Sequence, residues 1–94
     1  MKVRLATAAL RDRRQADQYY AGTEAHAQFR DELRRAIKYI ADYPEGAPRV
    51  RGEIRVKTLR RFPYSLLYRI GSDTIRILAI VHQSQDAEPF FARD

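Results

Sequence analysis

The sequence predicts an α+β domain: a short N-terminal strand and an antiparallel helical hairpin packed on an antiparallel β-sheet. Three observations carry this expectation. Apolar residues recur at helical spacing from Phe29 to Ile40. From Glu53 onward the period changes to two. Between the two regimes stands the break Tyr43-Pro44-Glu45-Gly46-Ala47-Pro48. The chain has 94 residues, which makes residues 1–94 a single domain with no room for a second core.

Val3 and Leu5 alternate with Lys2 and Arg4, so a short strand comes first. Thr7 is expected to cap a helix over about 8–20 through its hydroxyl. Apolar positions there are sparse (Ala9, Leu10, Ala16, Tyr19, Tyr20), and Arg11, Asp12, Arg13 and Arg14 read as a solvated face. Ala21-Gly22 ends this helix, because Gly accepts a left-handed C-terminal cap. Thr23 is the next expected cap, with Glu24 placed well against the helix dipole. In the second helix Phe29, Leu33, Ala36, Ile37 and Ile40 form one stripe, and Pro44 stops it. So short a break between two helices implies a hairpin.

Ile54 and Val56 then alternate with Arg55 and Lys57 in a half-buried strand. The next strand spans 64–70, with Tyr64, Leu66, Tyr68 and Ile70 on one face, and Gly71-Ser72-Asp73 forms a hairpin loop. The last strand, 74–82, is apolar on both faces: Ile75, Ile77, Ala79 and Val81 on one, Leu78 and Ile80 on the other. Such a strand is expected to be covered on both sides.

Composition narrows the function. The 18 basic residues against 12 acidic ones leave a net charge of +6, which favours a polyanionic partner such as nucleic acid, a ribosome or an acidic protein. With no Cys and two His, neither a thiol nucleophile nor a metal site is expected, and no Gly-rich phosphate loop suggests a cofactor. No apolar run approaches the ~20 residues of a membrane span, and the N-terminus lacks the apolar core of a secretory signal. A reducing cytoplasm is the expected compartment.

Several short motifs occur in a fixed order: Tyr19-Tyr20, Tyr43-Pro44 followed by Gly46, Arg61-Phe62-Pro63-Tyr64, Tyr68-Arg69-Ile70 and Ala79-Ile80-Val81-His82. Together they resemble the ParE/RelE superfamily of bacterial toxins from type II toxin–antitoxin pairs, on its ParE or plasmid-stabilisation side. The resemblance implies a cognate antitoxin with an acidic, flexible C-terminal segment. It also implies a target. ParE-like toxins poison DNA gyrase by protein–protein contact; RelE-like toxins enter the ribosome and cut messenger RNA. A third alternative is a degenerate member that binds its antitoxin and little else.

Metal-independent RNA cleavage needs cations for the phosphorane and groups that move protons. The candidates for such chemistry are Lys57, Arg61 and His82. Lys57 and Arg61 read either as phosphate ligands or as solvated charge, and His82 either as an acid–base group or as a strand-end hydrogen-bonding residue. Relatives commonly carry Arg where this chain has Gln85, and Phe90-Phe91 stand where RelE-like nucleases have a late Tyr. That pattern argues against a nuclease. The densest basic region, Arg49, Arg51, Arg55, Lys57, Arg60, Arg61 and Arg69, is the expected docking surface for antitoxin or target. Within it Arg55, Lys57 and Arg69 are expected to share a sheet face, with Arg60 and Arg61 at the rim.

Overall fold

The computed structural model describes residues 1–94. In chain order the elements are β1 (Lys2–Leu5), α1 (Thr7–Tyr20), α2 (Ala25–Asp42), β2 (Arg49–Arg51), β3 (Ile54–Thr58), β4 (Tyr64–Ile70), β5 (Thr74–His82) and α3 (Glu88–Phe91). The expected α+β class is the one that forms: a helical hairpin lies on a five-stranded sheet of order β1-β5-β4-β3-β2. Strands β2 to β5 are antiparallel neighbours. Strand β1 joins the sheet in parallel, with Val3 opposite Ile75 and Leu5 opposite Ile77, so the sheet is mixed rather than wholly antiparallel. Parallel neighbours need a long crossover, and the helices lie within the connection that supplies one. Strand β2 adds a fourth antiparallel strand to the three expected. It has only three residues, all exposed, and so leaves no alternation to read.

Both expected helix caps are different. Ala6, not Thr7, occupies the N-cap of α1, and no side chain caps it. The backbone runs straight from strand to helix: Ala6 N–H donates to Ile77 O at 2.9 Å, and Leu10 N–H donates back to Ala6 O at 3.0 Å. Thr23 does not cap α2, whose N-cap is Glu24. Its hydroxyl donates backward to Tyr20 O at 2.6 Å and seals the end of α1. Gly22 has φ +80°, the left-handed turn expected of it.

The core between helices and sheet explains the aromatic motifs. Phe29, Leu33, Ala36 and Ile40 of α2 meet Tyr64, Leu66 and Tyr68 of β4 and Ile75, Ile77 and Ile80 of β5. Tyr20 stacks on Phe29 with ring centroids 4.8 Å apart, and Phe62 meets both rings edge-on at 5.1 and 5.3 Å. Buried Tyr68 donates its hydroxyl to Pro44 O at 2.6 Å, which ties β4 to the end of α2.

Strand β5 departs from simple alternation. The register passes from Leu67↔Ala79 to Tyr68↔Ile77, so Leu78 is an extra residue bulged out of the ladder. The bulge reverses the phase. Ile75, Ile77 and Ile80 face the helices, whereas Leu78, Ala79 and Val81 belong to the opposite face. The expected grouping of Ala79 and Val81 with Ile75 is thus corrected. The opposite face is covered by the tail: Phe90 and Phe91 pack beside Val56 against Ile54, Leu67, Leu78, Ala79 and Val81.

Strand β1 ends opposite Ile77, which leaves the rest of β5 without a strand neighbour on that edge. Two charged side chains fill the gap. Asp12 accepts from Ile80 N–H at 3.0 Å and pairs with Arg93 at 2.6 Å, and Arg93 donates to Leu78 O at 3.2 Å. Asp12 is therefore a structural group and not part of a solvated face.

The β4–β5 loop is tight at Gly71, where a Cβ would lie 2.8 Å from Thr74 O. Gly71→Ala is expected to cost about 1–3 kcal/mol, because the contact is with backbone that cannot swing away. A urea titration should show a lower midpoint with an unchanged slope.

Candidate functional site

The structure divides the basic residues that the sequence groups together. Arg55 and Lys57 lie opposite Tyr68 and Leu66 on β4, and so point to the helix side of the sheet. Arg69 lies opposite Arg76, on the other face. The expectation that Arg55, Lys57 and Arg69 share a face is corrected, since side chains one residue apart in a strand point to opposite sides.

Four of the seven are engaged within the molecule. Arg51 forms a bidentate pair with Glu88, one arm at 2.7 Å, and its guanidinium lies 4.5 Å from the centroid of Phe91. This pairing holds the Glu88 carboxyl below its usual range. Arg69 donates to Asp94 at 2.6 Å, and Arg49 stands 3.7 Å from Glu53. Arg55 donates to the carbonyls of Ala47 at 2.7 Å and Glu45 at 3.2 Å, pinning the loop after α2.

The remaining three, Lys57, Arg60 and Arg61, converge. With Arg35 of α2 they line a cleft of about 200 Å³ between α2 and the β3–β4 loop. None of the three forms an ion pair within the chain. Lys57 Nζ rests 4.2 Å from the centroid of the Tyr39 ring, a cation–π contact. Tyr39 in turn leans on Gly46, where a Cβ would come within 2.5 Å of the phenol oxygen. The glycine after Tyr43-Pro44 thus leaves room for the aromatic ring that supports Lys57.

Glu32 organises this cleft, and sequence reasoning missed it. It is 8 % exposed, and its carboxylate accepts the backbone N–H groups of Arg60 and Arg61, the latter at 3.1 Å. One acid on α2 therefore fixes the loop that carries two of the cations. The available signal was position: Glu32 falls three residues after Phe29 and four before Ala36, inside the apolar stripe.

The three nuclease candidates are not brought together as a site. Lys57 and Arg61 line the cleft on the helix side. His82 ends β5 opposite Tyr64, with its ring edge-on to Tyr64 at 5.0 Å on the helix side of the strand, and the end of the strand borders a different groove with Val56, Ser65, Leu67 and Phe91. Its Nδ1 accepts Ser84 N–H at 3.0 Å, which leaves the proton of a neutral ring on Nε2. No Lys or Arg lines that groove. Gln85 accepts His82 N–H at 2.9 Å and closes the turn. No helix is long and apolar enough to cross a membrane.

Residues 3–87 match the model of a family described as ParE toxin of type II toxin-antitoxin system, parDE. No curated protein matches the chain. Among solved structures, the chain resembles one from the chromosomal ParDE TA system from P. aeruginosa, with a TM-score of 0.75 and 24 % sequence identity, over 87 % of this chain and 95 % of that one. At that identity the likeness is one of fold.

Proposed function

The chain belongs to the ParE toxin family of type II toxin–antitoxin systems, and from that premise we propose that it inhibits DNA gyrase by protein–protein contact and is neutralised by a cognate antitoxin. The antitoxin would present an acidic, flexible C-terminal segment to the basic surface. The observation that carries the docking side of this reading is the cleft of Lys57, Arg60 and Arg61, three cations without an ion-pair partner in the chain. The proposed docking set narrows to these three. Arg49, Arg51, Arg55 and Arg69 stand at its margins, because binding through them would first break contacts already made. Gyrase as the target rests on family membership. The cytoplasm, where a gyrase inhibitor and its antitoxin meet, is the compartment this reading requires.

The second reading, a ribosome-dependent endoribonuclease using Lys57, Arg61 and His82, is weaker on geometry. General acid–base catalysis needs the proton-transfer group and the phosphate-binding cations around one scissile bond. Here His82 packs against Tyr64 and does not line the cleft that holds Lys57 and Arg61. Purified protein is expected to stop supercoiling by gyrase and to leave messenger RNA on programmed ribosomes intact. Cutting at the ribosomal A site would overturn the proposal. Inactivity in both assays would reduce the chain to an antitoxin-binding member.

A further inference from the structure

The tail covers only part of the sheet face opposite the helices, the part that carries Ile54, Leu67, Leu78, Ala79 and Val81. Beyond Leu78, toward the start of β5, that face is basic. Val3 and Leu5, Tyr68 and Ile70, and Ile75 and Ile77 pack toward the helices, so Lys2 and Arg4 of β1, Arg76 of β5 and Arg69 of β4 point the other way. The register lines three of them up: Arg4 lies opposite Arg76, and Arg76 lies opposite Arg69. All four cations are exposed. Arg69 donates to Asp94 at 2.6 Å, whereas Lys2, Arg4 and Arg76 have no ion-pair partner. An open hollow of about 440 Å³ is lined by Arg69 and Arg76 together with Gly71, Thr74 and Leu78, and Asp94 is its only acid.

Like charges directly opposite one another destabilise a sheet. Charge on β1 alone has a ready explanation, since β1 is an edge strand and cations there discourage pairing with another chain. Strands β5 and β4 are interior, so edge protection explains neither Arg76 nor Arg69. A row of like charges costs the free protein and is relieved by an anion that spans it.

We propose that the row of Arg4, Arg76 and Arg69, with Lys2 beside it, binds the phosphate backbone of duplex DNA without reading its sequence. Adjacent strands lie about 4.8 Å apart, so the row runs about 10 Å. One strand of a duplex advances about 3.4 Å along the axis per phosphate, so that length meets about three phosphates. No aromatic side chain stands in the row for an unstacked base to lie on, and single-stranded nucleic acid is gripped largely by such stacking. The bases of a duplex need no platform. An acidic protein is served less well. The core of a protein interface is apolar, and the one apolar residue lining the hollow, Leu78, is 2 % exposed. The row lies on the opposite side of the sheet from Lys57, and it does not depend on which target the toxin inhibits.

The test follows the fluorescence anisotropy of a short labelled duplex of arbitrary sequence as the full chain is added at several salt concentrations. The logarithm of affinity is expected to fall against the logarithm of salt with a slope of about −3, one phosphate for each of Lys2, Arg4 and Arg76. Arg4→Gln/Arg76→Gln should flatten the slope to about −1 and weaken binding about a hundredfold at low salt. Because it also removes an opposition of like charges, this variant should melt no lower than the parent chain. Asp94→Asn, which frees Arg69, should steepen the slope to about −4. Glu24→Gln, the same change in net charge at the exposed N-cap of α2, should leave the slope as it is. Absence of binding at low salt overturns the proposal. So does an equal loss in Arg60→Gln/Arg61→Gln, which would put the DNA on the cleft, or a lower melting temperature in Arg4→Gln/Arg76→Gln, which would make those arginines structural. Tighter binding to the single strand than to the duplex overturns it as well, as does tighter binding to an acidic peptide of matched charge.

Discussion

Arg60→Glu/Arg61→Glu is expected to weaken capture of the cognate antitoxin by about a hundredfold or more. Each reversal removes an attraction to an acidic segment and adds a repulsion, and charge contacts at interfaces are worth about 1.5 kcal/mol upward. The affinity of the purified pair, measured by calorimetry at two salt concentrations, checks this. Arg60→Gln/Arg61→Gln serves as the companion variant, since it avoids placing new carboxylates beside Glu32. It should lose less affinity and flatten the salt dependence. Unchanged affinity in both variants would reject the cleft as the docking surface. By contrast, Arg55→Gln should act mainly on stability, because Arg55 is committed to the carbonyls of Glu45 and Ala47.

Glu32→Ala is expected to cost about 2–3 kcal/mol, since two backbone N–H groups lose a charged acceptor in a half-buried place. Glu32→Gln keeps one acceptor oxygen and the shape of the side chain, and should cost about half as much. Equilibrium unfolding in urea measures both. Position adds a second readout. The amides of Arg60 and Arg61 should exchange with solvent faster in Glu32→Ala, and antitoxin affinity should fall although every cation is still present. An intact affinity would mean that the loop holds its shape without Glu32.

The elements whose burial is local were readable from the chain. The stripe from Phe29 to Ile40 marks α2, Pro44 marks its stop, and the alternation from Ile54 and from Tyr64 marks β3 and β4. What escaped depends on distant partners. The Leu78 bulge adds one ordinary apolar residue to an apolar run, so nothing in the composition announces the change of phase. The basic surface was legible as a region but not as a site. Arg51 and Arg69 look as free as Arg60 until Glu88 and Asp94 fold back onto them. Thr7 and Thr23 sit where caps are usual, yet Ala6 and Glu24 hold the N-cap positions without a side-chain cap, and the Thr23 hydroxyl turns back to the carbonyl of Tyr20. Glu32 was the one informative anomaly in the sequence, an acid inside an apolar stripe.

The pair of charges that completes the β5 edge carries a consequence for how the molecule folds. Asp12 and Arg93 are 81 residues apart in the chain, so their meeting closes a loop of nearly the full length. Such a closure carries a large entropic cost before any contact repays it, and contacts of this span form late. The β3–β4–β5 meander, built from near neighbours, can assemble earlier. During the interval its upper β5 edge stands open, a template for another chain's strand. The danger to this small protein is therefore greatest in the moments before it is complete, and the same two residues decide how long those moments last.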